Sequence, residues 1–479
     1  MKRILLVAAI VSLLGAPAAR ADWVWYDLPG TPLRILLQAD TVKANPGGTY
    51  TIKHSLGTIH TKREQIHEVI KKPTTLSEYR LKFNLAKGSR NADKLMEVAT
   101  WALRRGLMRQ FHECVDQALE YDPNHKESKR IAELRTRLNV DIPESTTLEN
   151  EMRRLLRNST MKFQRSRHFL LLHDTPKNPK EGHKLPRADE RLELLERVYE
   201  TFMYRFYAKG IDLDIPKQRM KVVLFDKHED FLAFANRLGP GMSSVLGFWD
   251  PTTNTSVFFD QGTHESMKGL LELDKQLSQV LKDATRARDG ETVQFARTIR
   301  LLVHIQQESM DVEVVSHEAT HQLAGNTGLL PRYVSVPRWV HEGLATYFEA
   351  PKDASWAGFG AVNRDRLEMY RVLSRDREHS NIDFIVGDQI FNYAQSNGAV
   401  IHGYAQAWAL THFLMDRHFD KFMTFYRRLG EMPPDVTLGA DVLTELFNEV
   451  FGTDRGRLDT EWRTYMNSLK TDTEIVLQE

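Results

Sequence analysis

His317, Glu318 and His321 stand together in the stretch EVVSHEATHQLAG, residues 313–325. Four residues of helix turn through roughly 400°, so in a helix the two imidazoles share a face, one turn apart. Histidines so placed converge on one metal ion, and a glutamate beside the first reaches toward a water held there. The chemistry this predicts is metal-assisted hydrolysis, with imidazole ligands and a carboxylate as general base. In a chain with 18 His, a chance H-E-x-x-H is expected roughly once in twenty such sequences, so the pattern needs a companion.

A hydrolytic zinc centre needs a third protein ligand and one open position. The stretch PRWVHEGLATYFE, residues 337–349, is the candidate source. Pro337 precedes an amphipathic helix whose apolar contacts are Trp339, Val340, Leu344, Ala345 and Phe348, and Gly325, Gly328 and Pro331 let the chain return. His341 and Glu342 both offer a ligand atom there. Helix neighbours point about 100° apart, so only one of them can face the metal. Ala324 and Thr327 stand where a metzincin has Gly and His, which excludes that arrangement.

H-E-x-x-H followed about twenty residues later by a helical Glu resembles the gluzincin metallopeptidases, the thermolysin and aminopeptidase N relatives. The fuller text SHEATHQLAGN…VPRWVHEGLATYFE, with YAQAWALTHFL downstream, looks like the bacterial peptidase MA-like group. The likeness covers roughly residues 160–465 and is most specific over 316–349. It implies one Zn²⁺ per chain on His317, His321 and Glu342, Glu318 as general base, and a peptide or protein substrate. Tyr404 in HGYAQAWAL is the candidate oxyanion donor, with His402 the second choice. Thermolysin-like relatives carry an acidic residue one turn after the third ligand to hold a ligand histidine. Thr346 occupies that place, which leaves Glu349, two turns on, or a backbone carbonyl. Gluzincins hold extended substrate along an edge strand. Ser244–Trp249 or Thr255–Phe259 is the expected edge, with Phe248 and Trp249 lining a pocket.

The remaining sequence must position these groups. Lys2 and Arg3, the run ILLVAAIVSLLGA and the ending PAARA make residues 1–21 a secretory signal peptide, so the mature chain is expected in the periplasm or outside the cell. No other run approaches the ~20 apolar residues of a spanning helix, so no integral membrane segment is expected after its removal. Cys114 stands alone, which precludes an internal disulfide, and its apolar helical surroundings suit a small buried hydrophobe. A net charge of +1 argues against nucleic acid as a partner, and the basic clusters Arg153–Arg157 and Lys177–Arg187 read as solvated surface.

Alternating apolar residues and the NPGG turn predict a small β module over 22–72. Over 77–140, one stripe of Leu95, Val98, Ala99 and Ala102 and another of Phe111, Val115, Ala118 and Leu119 predict a tetratricopeptide-like helical hairpin. Residues 145–470 form the expected peptidase domain, and 471–479 a disordered tail. Strands come before helices, which predicts an α+β fold. With the resemblance this means a thermolysin-like domain with a small mixed sheet and a helical active-site core. A second class of function stays beside it: a binding or assembly protein acting through the β module and hairpin, with a structural or decayed metal site. Glu318 speaks against that reading, because a structural site needs no general base.

Overall fold

The computed structural model describes residues 20–478 apart from 30, 158–159, 181–182, 240–241, 243–244, 284–289 and 397–399. Residues 1–19 of the expected signal segment, and Ser244, lie outside the described residues. Strands β1 (Arg20–Asp27), β2 (Arg34–Ala39), β3 (Thr41–Asn45), β4 (Thr49–His54), β5 (Gly57–Lys62) and β6 (Ile66–Pro73) open the chain. They form two antiparallel three-stranded sheets, ordered β2-β1-β6 and β3-β4-β5. Alternation sends Val24, Tyr26, Leu37, Ile52 and Ile59 inward, where they meet Leu301 from a distant helix.

Four helices follow: α1 (Thr75–Gly88), α2 (Ala92–Arg104), α3 (Met108–Tyr121) and α4 (Lys126–Leu138). The side chains of Thr74, Asn91 and His125 accept from backbone N–H groups at the starts of α1, α2 and α4. The two expected stripes belong to α2 and α3, and α1 and α4 flank them. Cys114 is buried on α3.

Helix α5 (Thr146–Leu156) leads into a five-stranded mixed sheet. Its strands are β7 (Lys162–Arg165), β8 (Phe169–His173), β9 (Met220–Phe225), β10 (Gly247–Asp250) and β11 (Thr255–Phe259), in the order β10-β11-β9-β8-β7. The central pairs run parallel and both outer pairs antiparallel. Every residue of β8 and β11 is buried, which is why both read as unbroken apolar runs. Helices α6 (Arg187–Tyr207) and α7 (His228–Ala235) fill the connections.

After α8 (Lys268–Asp283) comes α9 (Glu291–Asn326), 36 residues long. Then follow α10 (Arg338–Phe348), the two-residue strands β12 (Pro351–Lys352) and β13 (Ser355–Trp356), and α11 (Arg364–Leu373). The chain ends with α12 (Ile382–Val386), α13 (Gln389–Ser396), α14 (Val400–Arg417), α15 (Phe419–Gly430), α16 (Ala440–Phe451), α17 (Arg455–Ser468) and α18 (Asp472–Leu477). The architecture is α+β, with small sheets on a larger helical body. No described helix is long and apolar enough to cross a membrane.

Helix α18 corrects the expectation of a disordered tail. Thr471 and Glu474 form a capping box, Val476 is buried, and Arg371 holds Glu474 at 2.7 Å. A short polar segment is here ordered by its cap and by one tertiary ion pair.

Candidate metal centre

Helix α9 presents His317 and His321 from its last three turns, and α10 brings Glu342 against them. The facing atoms are Nε2 of both histidines and Oε2 of Glu342. His317 lies 3.1 Å from Glu342 and 3.1 Å from His321, and His321 lies 3.4 Å from Glu342. Donors at zinc-ligand distance from a tetrahedral ion are roughly 3.3 Å apart, so this triangle has the size zinc requires. Two imidazoles and one carboxylate also form the donor set of hydrolytic zinc. His341 stays out of the triangle. Its ring lies flat on that of His321 at 3.8 Å between centroids, and burial lowers its pKa to about 3.

Two close packings build the site. Gly343 lets α10 touch α14, since a Cβ there would fall 2.1 Å from Thr411 Oγ1 and 2.8 Å from the Ala407 carbonyl. Pro337 leaves the first N–H groups of α10 without a side-chain cap of their own. The Asp388 carboxylate supplies one from afar, accepting from Arg338 at 2.9 Å and Trp339 at 3.0 Å. No local pattern marks Asp388 for this task.

His317 donates from Nδ1 to Glu349 Oε2 at 2.8 Å, which fixes the ring with Nε2 facing the triangle. Of the two expected partners for a candidate ligand histidine, Glu349 and a backbone carbonyl, the contact made is with Glu349. Its other oxygen accepts from Arg366 Nε at 2.8 Å and Asn363 Nδ2 at 3.3 Å. Burial opposes the charge on Glu349, yet Arg366 and His317 outweigh it and bring its pKa to about 2. Arg366 also donates to Glu313 at 3.0 Å. Arg366 and Glu313 were not read from sequence, and nothing local to either announces the role.

Glu318 is buried against strand β10. A Cβ at Gly247 would lie 3.2 Å from Glu318 Cγ, and the backbone N–H of Trp249 donates to its carboxylate. Burial raises the pKa of Glu318, against the pull of His317 and His321. The outermost strand of the large sheet thus runs past the general-base candidate. Trp249 faces the site side, whereas Phe248 packs on Phe231 and Phe234 and belongs to the core.

Tyr404 on α14 reaches the centre: its ring is 6.1 Å from that of His317. Burial, Glu342 and Glu318 together raise its pKa, so the phenol keeps its proton. Arg366 and Phe391 hold the ring, at 5.5 Å each. His402, half a turn away on α14, makes no contact with the centre among the described residues. A second His–carboxylate group, His183, Glu190 and Glu308, is also within metal-binding reach. Its carboxylates are taken by Arg187, at 3.1 Å from Glu190 and 2.5 Å from Glu308, which makes it an ion-pair network.

Residues 311–435 match the model of a family described as a protein of unknown function, DUF1570. The matched segment holds all five candidates: His317, Glu318, His321, Glu342 and Tyr404. No curated protein and no solved structure matches the chain.

Proposed function

We propose that the chain is an exported, zinc-dependent peptidase that hydrolyses peptide bonds. The observation that carries this reading is the donor triangle of His317, His321 and Glu342 with Glu318 buried beside it. When bound, zinc supplies Lewis acidity that lowers the pKa of a water toward neutrality and polarises a carbonyl. Glu318, its proton affinity raised by burial, takes the proton of the attacking water and passes it to the leaving amine. Tyr404 remains protonated and donates to the oxygen that becomes negative. Strand β10, bonded to Glu318 through Trp249, offers an extended substrate its backbone. Glu349 and Arg366 keep His317 oriented throughout.

The test is the zinc content of the purified chain and of two variants. One zinc per chain is expected, lost in Glu342→Ala and retained in Glu318→Gln. A peptide library is expected to be cleaved by the unmodified chain and not by Glu318→Gln. Absence of zinc after reconstitution sinks the reading and leaves a binding or assembly protein working through its N-terminal modules.

A further inference from the structure

Beside the metal centre lies a cavity of about 230 Å³. That is room for one large side chain, since whole small-molecule ligands fill ~300–1,000 Å³. Trp249, Leu330, Val334 and Val336 give it apolar walls. Two of its lining residues join it to the ligand set. One is His341, stacked on His321; the other is Gly325, one turn beyond His321. A Cβ at Gly325 would come within 2.6 Å of the Trp249 indole, so only glycine lets that ring close the wall.

Arg332 and Arg338 also line it; among the described residues neither guanidinium forms a close ion pair, Arg332 donating to the Tyr333 hydroxyl and Arg338 acting on Asp388 only through its charge. The Asp388 carboxylate is taken up by the backbone at the start of α10. Arg338 is exposed and lies over Phe391 at 4.4 Å, and Phe391 meets Tyr404 edge-on at 5.5 Å. Its guanidinium thus stands at the mouth of the site, one helical turn before Glu342.

Resting on the peptidase reading, we propose that this cavity receives the C-terminal residue of a peptide: an apolar side chain in the pocket, its carboxylate on Arg338 with Arg332. The reason is that an apolar wall and available cations adjoin. An internal Asp or Glu would meet the cations and leave the indole wall unfilled. An internal Phe or Leu would fill the wall and bring no carboxylate to the cations. A terminal Phe, Leu or Met carries both features on one Cα, and guanidinium–carboxylate pairing is charge-assisted and directional. The substrate class is therefore peptides with a free, apolar C-terminus.

Binding is tested calorimetrically on the full, metal-free chain, where no ion can hold a carboxylate. The ligands are N-acetyl-phenylalanine and its amide. The acid is expected to bind about tenfold to a hundredfold tighter, the range for losing a bond to a charged group, and Arg338→Gln is expected to erase the difference. Equal affinity for acid and amide, or binding of neither, overturns the proposal. The zinc-loaded chain is then given peptides ending in free or amidated Phe. Preference for the free terminus, lost in Arg338→Gln, supports the subsite. Cleavage indifferent to the terminus overturns the subsite and leaves the peptidase reading standing. If no peptide is cleaved while the acid still binds through Arg338, the peptidase reading falls and the carboxylate site remains.

Discussion

Glu349 shows how one distant carboxylate orients a candidate ligand. By accepting from Nδ1 of His317, it turns Nε2 toward Glu342 and His321. Glu349→Gln keeps the shape and removes the charge, so zinc affinity is expected to drop about 10–100-fold with the fold intact. Competition against a chromophoric chelator measures this, and an unchanged affinity would mean that Glu349 serves only Arg366. At this scale the sequence was legible where the geometry is local. His317, Glu318 and His321 need only a helix to converge. Glu342 came through family likeness, and Glu349 was one of two options until the packing of α10 on α9 decided between them. Arg366, Glu313 and Asp388 could not be read, because each acts across a contact that no spacing encodes.

Helices α10 and α14 touch where Gly343 has no side chain, and the contact carries Glu342 on one side and Tyr404 on the other. Gly343→Ala is expected to cost about 1–3 kcal/mol in urea unfolding, the price of overpacking. Thr411→Ala should recover part of that loss, because the added methyl meets Thr411 Oγ1, which has no hydrogen-bond partner among the described residues. Helices α6 and α9 are tied differently, by Arg187 and Arg191 among Asp260, Glu308 and Asp311. Burial raises the pKa of Asp260 and Glu308, but the arginines, with Lys180 at Asp260, outweigh it and hold both at about 2. Folded values below the unfolded ones mean stability that is present above pH ~4 and lost as pH falls toward 2. Asp311, raised to about 6 by burial, has the opposite sign and gains a stabilising proton as pH falls from there to ~4. The chain's urea midpoint relative to that of Asp311→Asn is therefore expected to rise from pH 6 to 4, and both midpoints to fall steeply below. The absolute midpoints also carry the charging of His112 and His412, whose pKa burial lowers to about 4. No rise relative to Asp311→Asn would show that the arginines hold Asp311 ionised as well. The elements themselves were legible where one face is apolar, as in β9, α6 and α9. Strand β1 was hidden, since Arg20 and Ala21 read as the end of an export signal, yet they pair with Pro73 and Lys72.

Across the whole molecule, α9 is the common member. Near its start Leu301 enters the core of the N-terminal sheets, and Thr298 meets the Tyr26 hydroxyl at 3.3 Å; its middle carries the ion network and its end the two histidines. A second bridge, His54 to Asp353 at 3.0 Å, joins the same sheets to the turn between β12 and β13. A helix shared in this way raises the question of whether the N-terminal sheets tune the metal centre or only stabilise the fold. Leu301 precedes His317 by 16 residues, roughly 24 Å of helix, beyond the ~7–10 Å within which substitutions couple. Leu301→Ala leaves a cavity between sheet and helix and is expected to cost about 2–5 kcal/mol. Zinc at a hundredfold excess over its dissociation constant should add about 2.7 kcal/mol to the unmodified chain and to the variant alike, because binding to the native state adds a fixed increment. Urea unfolding of both proteins, with and without zinc, measures the two effects separately. Equal increments make the N-terminal sheets a scaffold for α9. A smaller increment in Leu301→Ala would make α9 a lever through which those sheets set the affinity of a metal site at its far end.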